Sequence, residues 1–164
     1  MKKTFKRPEW DEYFIQIAHV VKTRSNCIRG RVGALIVKNK QILATGYNGT
    51  PSGIKNCFEG GCKRCWNRQT GKLKSGEKKD TCICLHAEQN ALAQAARFGV
   101  ELNGGTLYCK MTPCHVCAKL IISAGIKRVV AENDYQKAKM TKNIFKKSGV
   151  KLEILNKKVM QYKK

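Results

Sequence analysis

The sequence predicts an α/β fold, a three-layer α/β/α sandwich built on a mixed five-stranded sheet. Its 164 residues match the usual length of one domain with its own core, so we expect residues 1–164 to form a single domain. A β-hairpin pattern in the first third is followed by two alternations of helix and strand, which is typical of a mixed sheet. No apolar run approaches the roughly 18 residues of a membrane span. We therefore expect neither a transmembrane segment nor a membrane partner.

The first elements are predicted to be an amphipathic helix and a hairpin. The helix begins just after Pro8, and apolar residues recur in it at steps of three and four. This apolar face consists of Trp10, Tyr13, Phe14, Ile17, Ala18 and Val21. Two segments rich in branched residues follow at 32–37 and 41–47, and the turn at 38–40 between them predicts an antiparallel hairpin.

Helices and strands alternate in the second half of the chain. The helix pattern "AEQNALAQAARFG" precedes the strand pattern "GTLYCKM", and "PCHVCAKLIISAG" precedes "IKRVVAE". Gly99 and Gly125 stand where helix C-caps belong. A last helix over 136–147 and an apolar strand at 150–155 complete the predicted sheet. The polar, cysteine-rich segment at about 55–84 interrupts this order and is predicted to be an insertion.

Charge and cysteine content limit the setting and the partners. The chain carries 33 Lys and Arg against 11 Asp and Glu, and its net charge of +22 favours anionic partners such as phosphorylated metabolites or nucleic acid. We interpret the lysine-rich C-terminal part as solvated surface. The early apolar run "YFIQIAHVV" is amphipathic, so we expect no signal peptide. Nine cysteines without an export signal predict a cytoplasmic, reducing setting, where metal binding is commoner than disulfide formation.

The segment "TPCHVCAKL" contains a strong candidate for chemistry. Cys114 and Cys117 are three residues apart near the positive end of the predicted helix, which favours thiolates. A C-x-x-C pair alone fits a redox dithiol, a structural zinc knuckle or a catalytic metal site. His86 favours the catalytic site, because one imidazole and two thiolates leave a fourth zinc position open for water. Cys109, on the preceding strand, is predicted to be a small buried apolar residue.

Glu88 has a different predicted role. As a fourth ligand it would close the zinc site, whereas a carboxylate beside the metal can accept the proton of an activated water. We therefore predict that Glu88 is the general acid and base. "HAE" alone is also an ordinary helix start. Its combination with "PCHVC" one strand later matches the H-x-E and P-C-x-x-C signature of zinc-dependent nucleobase deaminases.

Motifs outside the zinc site narrow this interpretation. The order "RSNC", "RVGALIV", "ATGYNGTPSG", "NCFEGGCKRC", "TCICLHAEQNAL" and "PCHVCAKLIISAGIKRVV" resembles the deoxycytidylate (dCMP) deaminase family over about residues 10–155. The resemblance implies the cytidine deaminase fold, hydrolysis of dCMP to dUMP and ammonia as a source of dUMP for dTMP synthesis, and a homo-oligomer, often a hexamer. Some members are activated by dCTP and inhibited by dTTP, and the sequence leaves such regulation open for this chain.

Carried over by position, the resemblance assigns the catalytic zinc to His86, Cys114 and Cys117. It assigns the proton transfers to Glu88. Five further residues match family positions near the substrate, and each has an ordinary structural alternative. Arg24 and Ser25 match the segment that meets the phosphate, which needs a cation or several donors. The others are Asn48, near the sugar, Tyr135, over the substrate, and Ala87, between the predicted zinc ligand and the predicted acid.

Six more cysteines surround the polar insertion. They are Cys27, Cys57, Cys62, Cys65, Cys82 and Cys84. An insertion with so little apolar content needs another source of folding energy, which a structural zinc ion supplies in small metal sites. We predict at least one structural zinc, with Cys57, Cys62, Cys82 and Cys84 as candidate ligands and Cys27 reaching in from the first loop, and the sequence does not decide which four bind. Six thiolates exceed the needs of one tetrahedral ion, so two ions sharing ligands are an open alternative.

Two other classes of function use the same zinc motif. A polynucleotide deaminase would place the +22 charge along a phosphate backbone, but the "RSNC" and "GYNG" segments and an aromatic content of 7% argue against it. A non-catalytic, zinc-stapled binding module would have no use for Glu88 beside an open zinc site. We therefore expect a mononucleotide substrate and no nucleic-acid partner.

Overall fold

Five strands form one mixed sheet in the computed structural model of the chain, which describes residues 6–160 and the side chains of residues 6–156. The strands are β1 (Gly33–Lys38), β2 (Gln41–Tyr47), β3 (Thr106–Met111), β4 (Arg128–Tyr135) and β5 (Lys151–Met160). The helices are α1 (Trp10–Val21), α2 (Lys63–Gln69), α3 (Ala87–Arg97), α4 (His115–Ser123) and α5 (Lys139–Ser148).

The strand order across the sheet is β2, β1, β3, β4, β5. β1 is antiparallel to β2 and β3, while β3, β4 and β5 are parallel. Asn39 and Lys40, with φ angles of 52° and 63°, form the tight turn after β1, which permits only antiparallel pairing. α4 and α5 supply the crossovers that parallel neighbours need. The predicted mixed five-stranded sheet is therefore confirmed.

Helices cover both faces of the sheet. α1 packs on one face, where Phe14 and Ala18 lie in a cluster with Leu35 of β1. α3, α4 and α5 pack on the other face, in a cluster that includes Ile36 of β1. Leu35 and Ile36 are neighbours in sequence, and successive strand residues point to opposite faces. The three predicted layers follow from this alternation. Cys109 lies fully buried in the larger cluster, as predicted.

α4 and α5 begin later than predicted. Cys114 is the N-cap of α4, with an extended ψ of 164°, and its carbonyl oxygen accepts the hydrogen bond of Ala118 at 2.9 Å. Residues 136–138, predicted to open the last helix, instead form a turn closed by the Ala138 N–H and the Tyr135 oxygen at 3.0 Å. Cys114 therefore lies at the edge of its helix, and Cys117 lies in the first turn.

The insertion and the last strand also differ from expectation. The insertion contains one short α-helix, α2, which the sequence does not predict because "KRCWNRQ" has no apolar stripe. β5 continues beyond residue 155, because its pairing with β4 extends to Tyr135 and Met160. Part of the lysine-rich C-terminal segment lies outside the described residues, as do residues 1–5. Within residues 6–160, no helix combines the length and the apolar character needed to cross a bilayer.

An ion-pair network connects α1 with β4 and β5. Arg128 on β4 donates to Asp11 from Nη1 at 2.9 Å and from Nη2 at 2.6 Å. It also donates to Glu153 on β5 from Nε at 3.1 Å and from Nη2 at 2.6 Å. The bonds from Arg128, together with the nearby Lys151, lower the pKa of Glu153 to about 2. Because both contacts are bidentate, the guanidinium fixes the distance between α1 and the sheet.

Gly46 allows α3 to lie directly against β2. A Cβ atom at this position would lie 2.2 Å from the Ala87 oxygen and 2.4 Å from the Ala91 nitrogen. These separations are far below van der Waals contact, so the approach requires glycine. Ala87, Ala91 and Ala95 are at most 1% exposed, and their small side chains keep the helix close to the strands. The start of α3 is thereby fixed relative to β2.

Replacing Gly46 with alanine should destabilise the fold, because the added methyl group forces α3 away from β2. We expect the free energy of unfolding to fall by about 2 kcal/mol or more in chemical denaturation. Gly149→Ala is the matched control, since Gly149 has a φ of 76° but open space around its Cβ position, which leaves only backbone strain of about 1 kcal/mol. Equal losses in the two variants would contradict the steric explanation.

Glu153→Gln should lower stability at neutral pH and have little effect in acid. The pKa of Glu153 is about 2 in the folded protein, below the value of about 4.3 for an unfolded glutamate. The ion pair therefore stabilises the fold above that higher value, and its contribution is lost as the pH falls through the folded pKa.

We expect the wild type to exceed Glu153→Gln by about 1 kcal/mol near pH 7 in urea denaturation, with the difference narrowing below about pH 4. Glu101→Gln is the control, because the Glu101 side chain is 69% exposed in its pair with Lys38. A difference that does not change with pH would mean that Glu153 acts through packing.

Candidate active site

Two helix N-termini bring the predicted chemical residues together. His86 is the N-cap of α3, and its N–H donates to the Gln89 side chain at 2.8 Å. Glu88 lies in the first turn of that helix. Cys114 and Cys117 occupy the N-cap and the first turn of α4. The positive ends of both helix dipoles therefore meet, which favours anionic groups at this place.

The three predicted zinc ligands lie within reach of one ion. The Nδ1 atom of His86 lies 3.5 Å from the Cys114 Sγ and 3.3 Å from the Cys117 Sγ. A tetrahedral ion with Zn–N bonds of about 2.0 Å and Zn–S bonds of about 2.3 Å separates such atoms by about 3.5 Å. The donor set therefore fits Zn²⁺, with the fourth position left for another ligand.

Glu88 is buried beside this donor set. It is 7% exposed, and its Oε2 lies 3.8 Å from the Cys117 Sγ. Burial raises the pKa of Glu88, so its carboxyl group exchanges a proton closer to neutral pH than a free glutamate does. Hydrogen bonds with Cys117 and His86 lower the pKa of Cys114 to about 3. The site thus combines a stabilised thiolate with a carboxyl group suited to accept and return a proton.

Ser25 and Asn48, two of the predicted substrate contacts, bind each other. The Ser25 Oγ lies 2.7 Å from the backbone oxygen and 2.7 Å from the Oδ1 of Asn48. The Asn48 Oδ1 also accepts from the Val32 N–H at 2.8 Å, and its Nδ2 donates to the Gly30 oxygen at 2.7 Å. The Asn48 amide group therefore joins the loop of residues 25–32 to the end of β2.

This loop is held next to the metal ligands. Gly49 and Leu85 form an isolated β-bridge, with N–O distances of 3.2 and 2.8 Å. Leu85 directly precedes His86, and Gly49 directly follows Asn48. The bridge therefore brings the Ser25 and Asn48 pair to the margin of the donor set.

The other three predicted contacts have different surroundings. Arg24 is exposed at the end of a 3-10 turn, Lys22–Arg24. Ala87 is fully buried at the first position of α3. Tyr135 ends β4 beside a cavity of about 350 Å³, whose other lining residues are Asp134, Gln136, Lys139 and Lys142. Burial and the charge of nearby Cys114 raise the pKa of Tyr135, which is therefore close to the donor set.

The anchors of the Tyr135 segment are not predicted from the sequence. The Thr112 Oγ1 donates to Asp134 at 2.9 Å, and Lys142 pairs with Asp134 at 2.5 Å. The Thr141 Oγ1 donates to the Pro113 oxygen at 2.9 Å. These bonds tie β4 and α5 to the segment that leads into Cys114. Polar residues at the ends of two neighbouring parallel strands are the signal that could have predicted them.

The six remaining cysteines lie together, hereafter the thiol cluster. In the described part of the chain, two sets of four have sulfur atoms within 4.8 Å of one another. They are Cys27, Cys57, Cys65 and Cys84, and Cys62, Cys65, Cys82 and Cys84. The sequence leaves the choice of four ligands among these six open, and the combination of Cys57, Cys62, Cys82 and Cys84 is not one of these sets. Cys65 belongs to both, because α2 has Cys62 as its N-cap and carries Cys65 one turn later.

Known proteins are similar in sequence to this chain. The profile of the family described as "Cytidine and deoxycytidylate deaminase zinc-binding region" matches residues 8–133. A deoxycytidylate deaminase from Schizosaccharomyces pombe is 44% identical over 146 residues, covering 89% of this chain and 44% of that protein. One from Mycobacterium phage D29 is 42% identical over 130 residues, covering 76% of this chain and 94% of that protein. The chain thus spans less than half the length of the fission yeast relative.

A solved structure shares the fold. The dCMP deaminase from the cyanophage S-TIM5, in complex with dCMP and dUMP, aligns with a TM-score of 0.71 and 36% sequence identity. The alignment covers 92% of this chain and 99% of that chain. The predicted cytidine deaminase-like fold is therefore confirmed.

Asn48→Ala should destabilise the fold by about 2 kcal/mol, because it leaves the half-buried Val32 N–H and Gly30 oxygen without their partner. Thermal unfolding measures the loss. Asn156→Ala is the control, since Asn156 is exposed and its hydrogen bond to Asn133 is 3.4 Å long. We expect that control to stay within about 0.5 kcal/mol of the wild type. Equal stability of the two variants would mean that the Asn48 amide does not anchor the loop.

Proposed function

The chain belongs to the cytidine and deoxycytidylate deaminase family, and from this premise we propose that it catalyses zinc-dependent hydrolysis of dCMP to dUMP and ammonia. The observation that carries the proposal is the meeting of His86, Cys114 and Cys117 beside the buried Glu88. The dCMP and dUMP in the cyanophage structure support the substrate, because the alignment covers 99% of that chain. In this proposal the chain is one deaminase domain whose product supplies dTMP synthesis.

His86, Cys114 and Cys117 are the residues that would hold the zinc ion. When bound, zinc acts as a Lewis acid that lowers the pKa of a coordinated water toward neutrality. Imidazole and thiolate ligands suit this ion. The two helix N-termini compensate part of the negative charge of the thiolates.

Glu88 moves the protons in the proposed reaction. Its carboxylate accepts a proton from the attacking water and delivers it to N3 of cytosine as the C4–O bond forms. A second proton then passes from the added oxygen through the carboxylate to the departing amine, and the C4–N bond breaks. One water is consumed for each ammonia released. The raised pKa of Glu88, caused by burial, suits a group that must accept and return protons.

The substrate contacts are assigned by their positions in the family motifs. Arg24 and Ser25 would bind the phosphate, Asn48 would lie near the sugar, and Tyr135 would lie over the substrate. Ala87 would contact it from the start of α3. The exposure of Arg24 supports a role in capturing a dianionic phosphate. The hydrogen bonds of Asn48 support a role in shaping the wall of the pocket.

The proposal also includes the number of zinc ions, the oligomeric state of the protein and its regulation by nucleotides. We include one catalytic zinc ion, at least one structural zinc ion in the thiol cluster, and a homo-oligomer such as a hexamer. Activation by dCTP and inhibition by dTTP are part of the same hypothesis, and a hyperbolic dCMP saturation curve unmoved by either nucleotide would end that part. A reducing, cytoplasmic setting is part of the same hypothesis, because eight of the nine cysteines are assigned to zinc sites rather than to disulfides.

Parallel assays of ammonia and dUMP release test the reaction. The purified protein is offered dCMP, deoxycytidine, dCTP and a cytosine-containing oligonucleotide. We expect turnover of dCMP and a loss of about 10³-fold in Glu88→Gln, because an amide cannot carry the proton. Glu101→Gln, at an exposed position that belongs to neither motif, should keep the wild-type rate.

Two outcomes would contradict the proposal. Turnover of the oligonucleotide in place of dCMP would make the net charge of +22 the better guide to the substrate. Equal rates in Glu88→Gln and the wild type would remove the carboxylate from the reaction.

A further inference from the structure

The thiol cluster forms the core of the insertion. Cys57, Cys62 and Cys65 are at most 2% exposed, and the residues packed against them are Cys27, Ile28, Cys82 and Cys84. Among the described residues, Ile28 is the one member of this core that is not a cysteine. Burial of one isoleucine contributes only about 2 kcal/mol. Metal ligation would supply the attraction that so small an apolar core lacks.

The distances between sulfur atoms match metal coordination. The Cys65 Sγ lies 3.9 Å from the Sγ of Cys82 and 3.9 Å from that of Cys84, and Cys62 and Cys82 are also 3.9 Å apart. A disulfide requires about 2.05 Å. Four sulfur atoms around zinc, with bonds of about 2.3 Å, are separated by about 3.8 Å. The observed separations are therefore those of neighbouring ligands on one ion.

We propose that the thiol cluster is a binuclear zinc site, in which two ions share the sulfur atoms of Cys65 and Cys84. These are the two residues common to both sets of four, so the two tetrahedra have this pair as a common edge. Two tetrahedra joined at an edge need six ligands, and six are present. The terminal ligands are Cys27 and Cys57 for the first ion, and Cys62 and Cys82 for the second.

The surroundings fit the charge of such a site. Two Zn²⁺ ions and six thiolates leave two negative charges uncompensated. Residues 55–84 contain eight Lys and Arg against three Asp and Glu.

The proposed site joins three separate segments of the chain. Cys27 comes from the loop that Asn48 anchors, and Cys84 is two residues before His86. The inference does not depend on the proposed deaminase reaction, because none of these six thiols belongs to the catalytic donor set.

Zinc content separates the binuclear site from the catalytic one. The full chain is expressed with zinc, dialysed against metal-free buffer and analysed for zinc and protein. We expect three zinc ions per chain in the wild type and two in Cys114→Ser/Cys117→Ser. Cys109→Ala, which removes a buried sulfur of the main core, should keep three. One zinc ion per chain in the double variant would overturn the proposal, whether or not the wild type deaminates dCMP.

Two matched double variants test the division of ligands. In the Cys114→Ser/Cys117→Ser background, Cys27→Ser/Cys57→Ser leaves the second set of four intact, and Cys62→Ser/Cys82→Ser leaves the first. We expect each to lower the cluster from two zinc ions to one. A single-ion site would instead lose its ion in one of these variants and keep it in the other.

Cadmium NMR of the unaltered chain tests the shared ligands without any substitution. The protein reconstituted with ¹¹³Cd should give two signals in the range of four-thiolate cadmium, coupled to each other through the common sulfur atoms. One such signal, or two without mutual coupling, would overturn the shared edge.

Discussion

The meeting of the α3 and α4 N-termini is the constraint on which the rest of the structure depends. Two positive helix ends repel each other, and they lie together here because thiolates and a carboxyl group supply the opposing charge. The 3.3 Å separation between His86 Nδ1 and Cys117 Sγ sets how closely the helices approach. The thiolates of Cys114 and Cys117, whose sulfur atoms lie within 4.8 Å of each other, repel at this spacing, and a divalent cation bound by both would offset that repulsion.

Small residues make this convergence possible. α3 contributes alanines to the core and rests on Gly46, so its axis lies closer to the strands than larger side chains would permit. The apolar volume is supplied elsewhere in the same layer, by residues such as Ile121 of α4 and Phe145 of α5. The site thus stands on rigid, closely packed elements, which favours a defined geometry for the reacting groups.

Periodicity and motif spacing predict the sheet, its helices and the catalytic donor set, because each depends on residues near in sequence or on a chemical pattern of few residue types. The grouping of the six remaining cysteines is not predictable in this way. It depends on α2, whose sequence has no apolar stripe and which places Cys65 in both sets of four. The sequence also does not predict that Asn48 ties the loop to β2. An asparagine in a turn gives the same sequence pattern whether its amide group binds water or the backbone.

Gly49 and Leu85 close a loop that contains the whole insertion. The entropy of closing a flexible loop rises by only about 0.6 kcal/mol for each doubling of its length. Residues can therefore be added or lost in the part of the insertion between α2 and Cys82 at little cost, without displacing His86. Homologous chains are expected to vary in length here while keeping the spacing from Cys82 to Glu88. A segment that tolerates changes in length therefore lies only a few residues before His86 and Glu88, whose positions must not change.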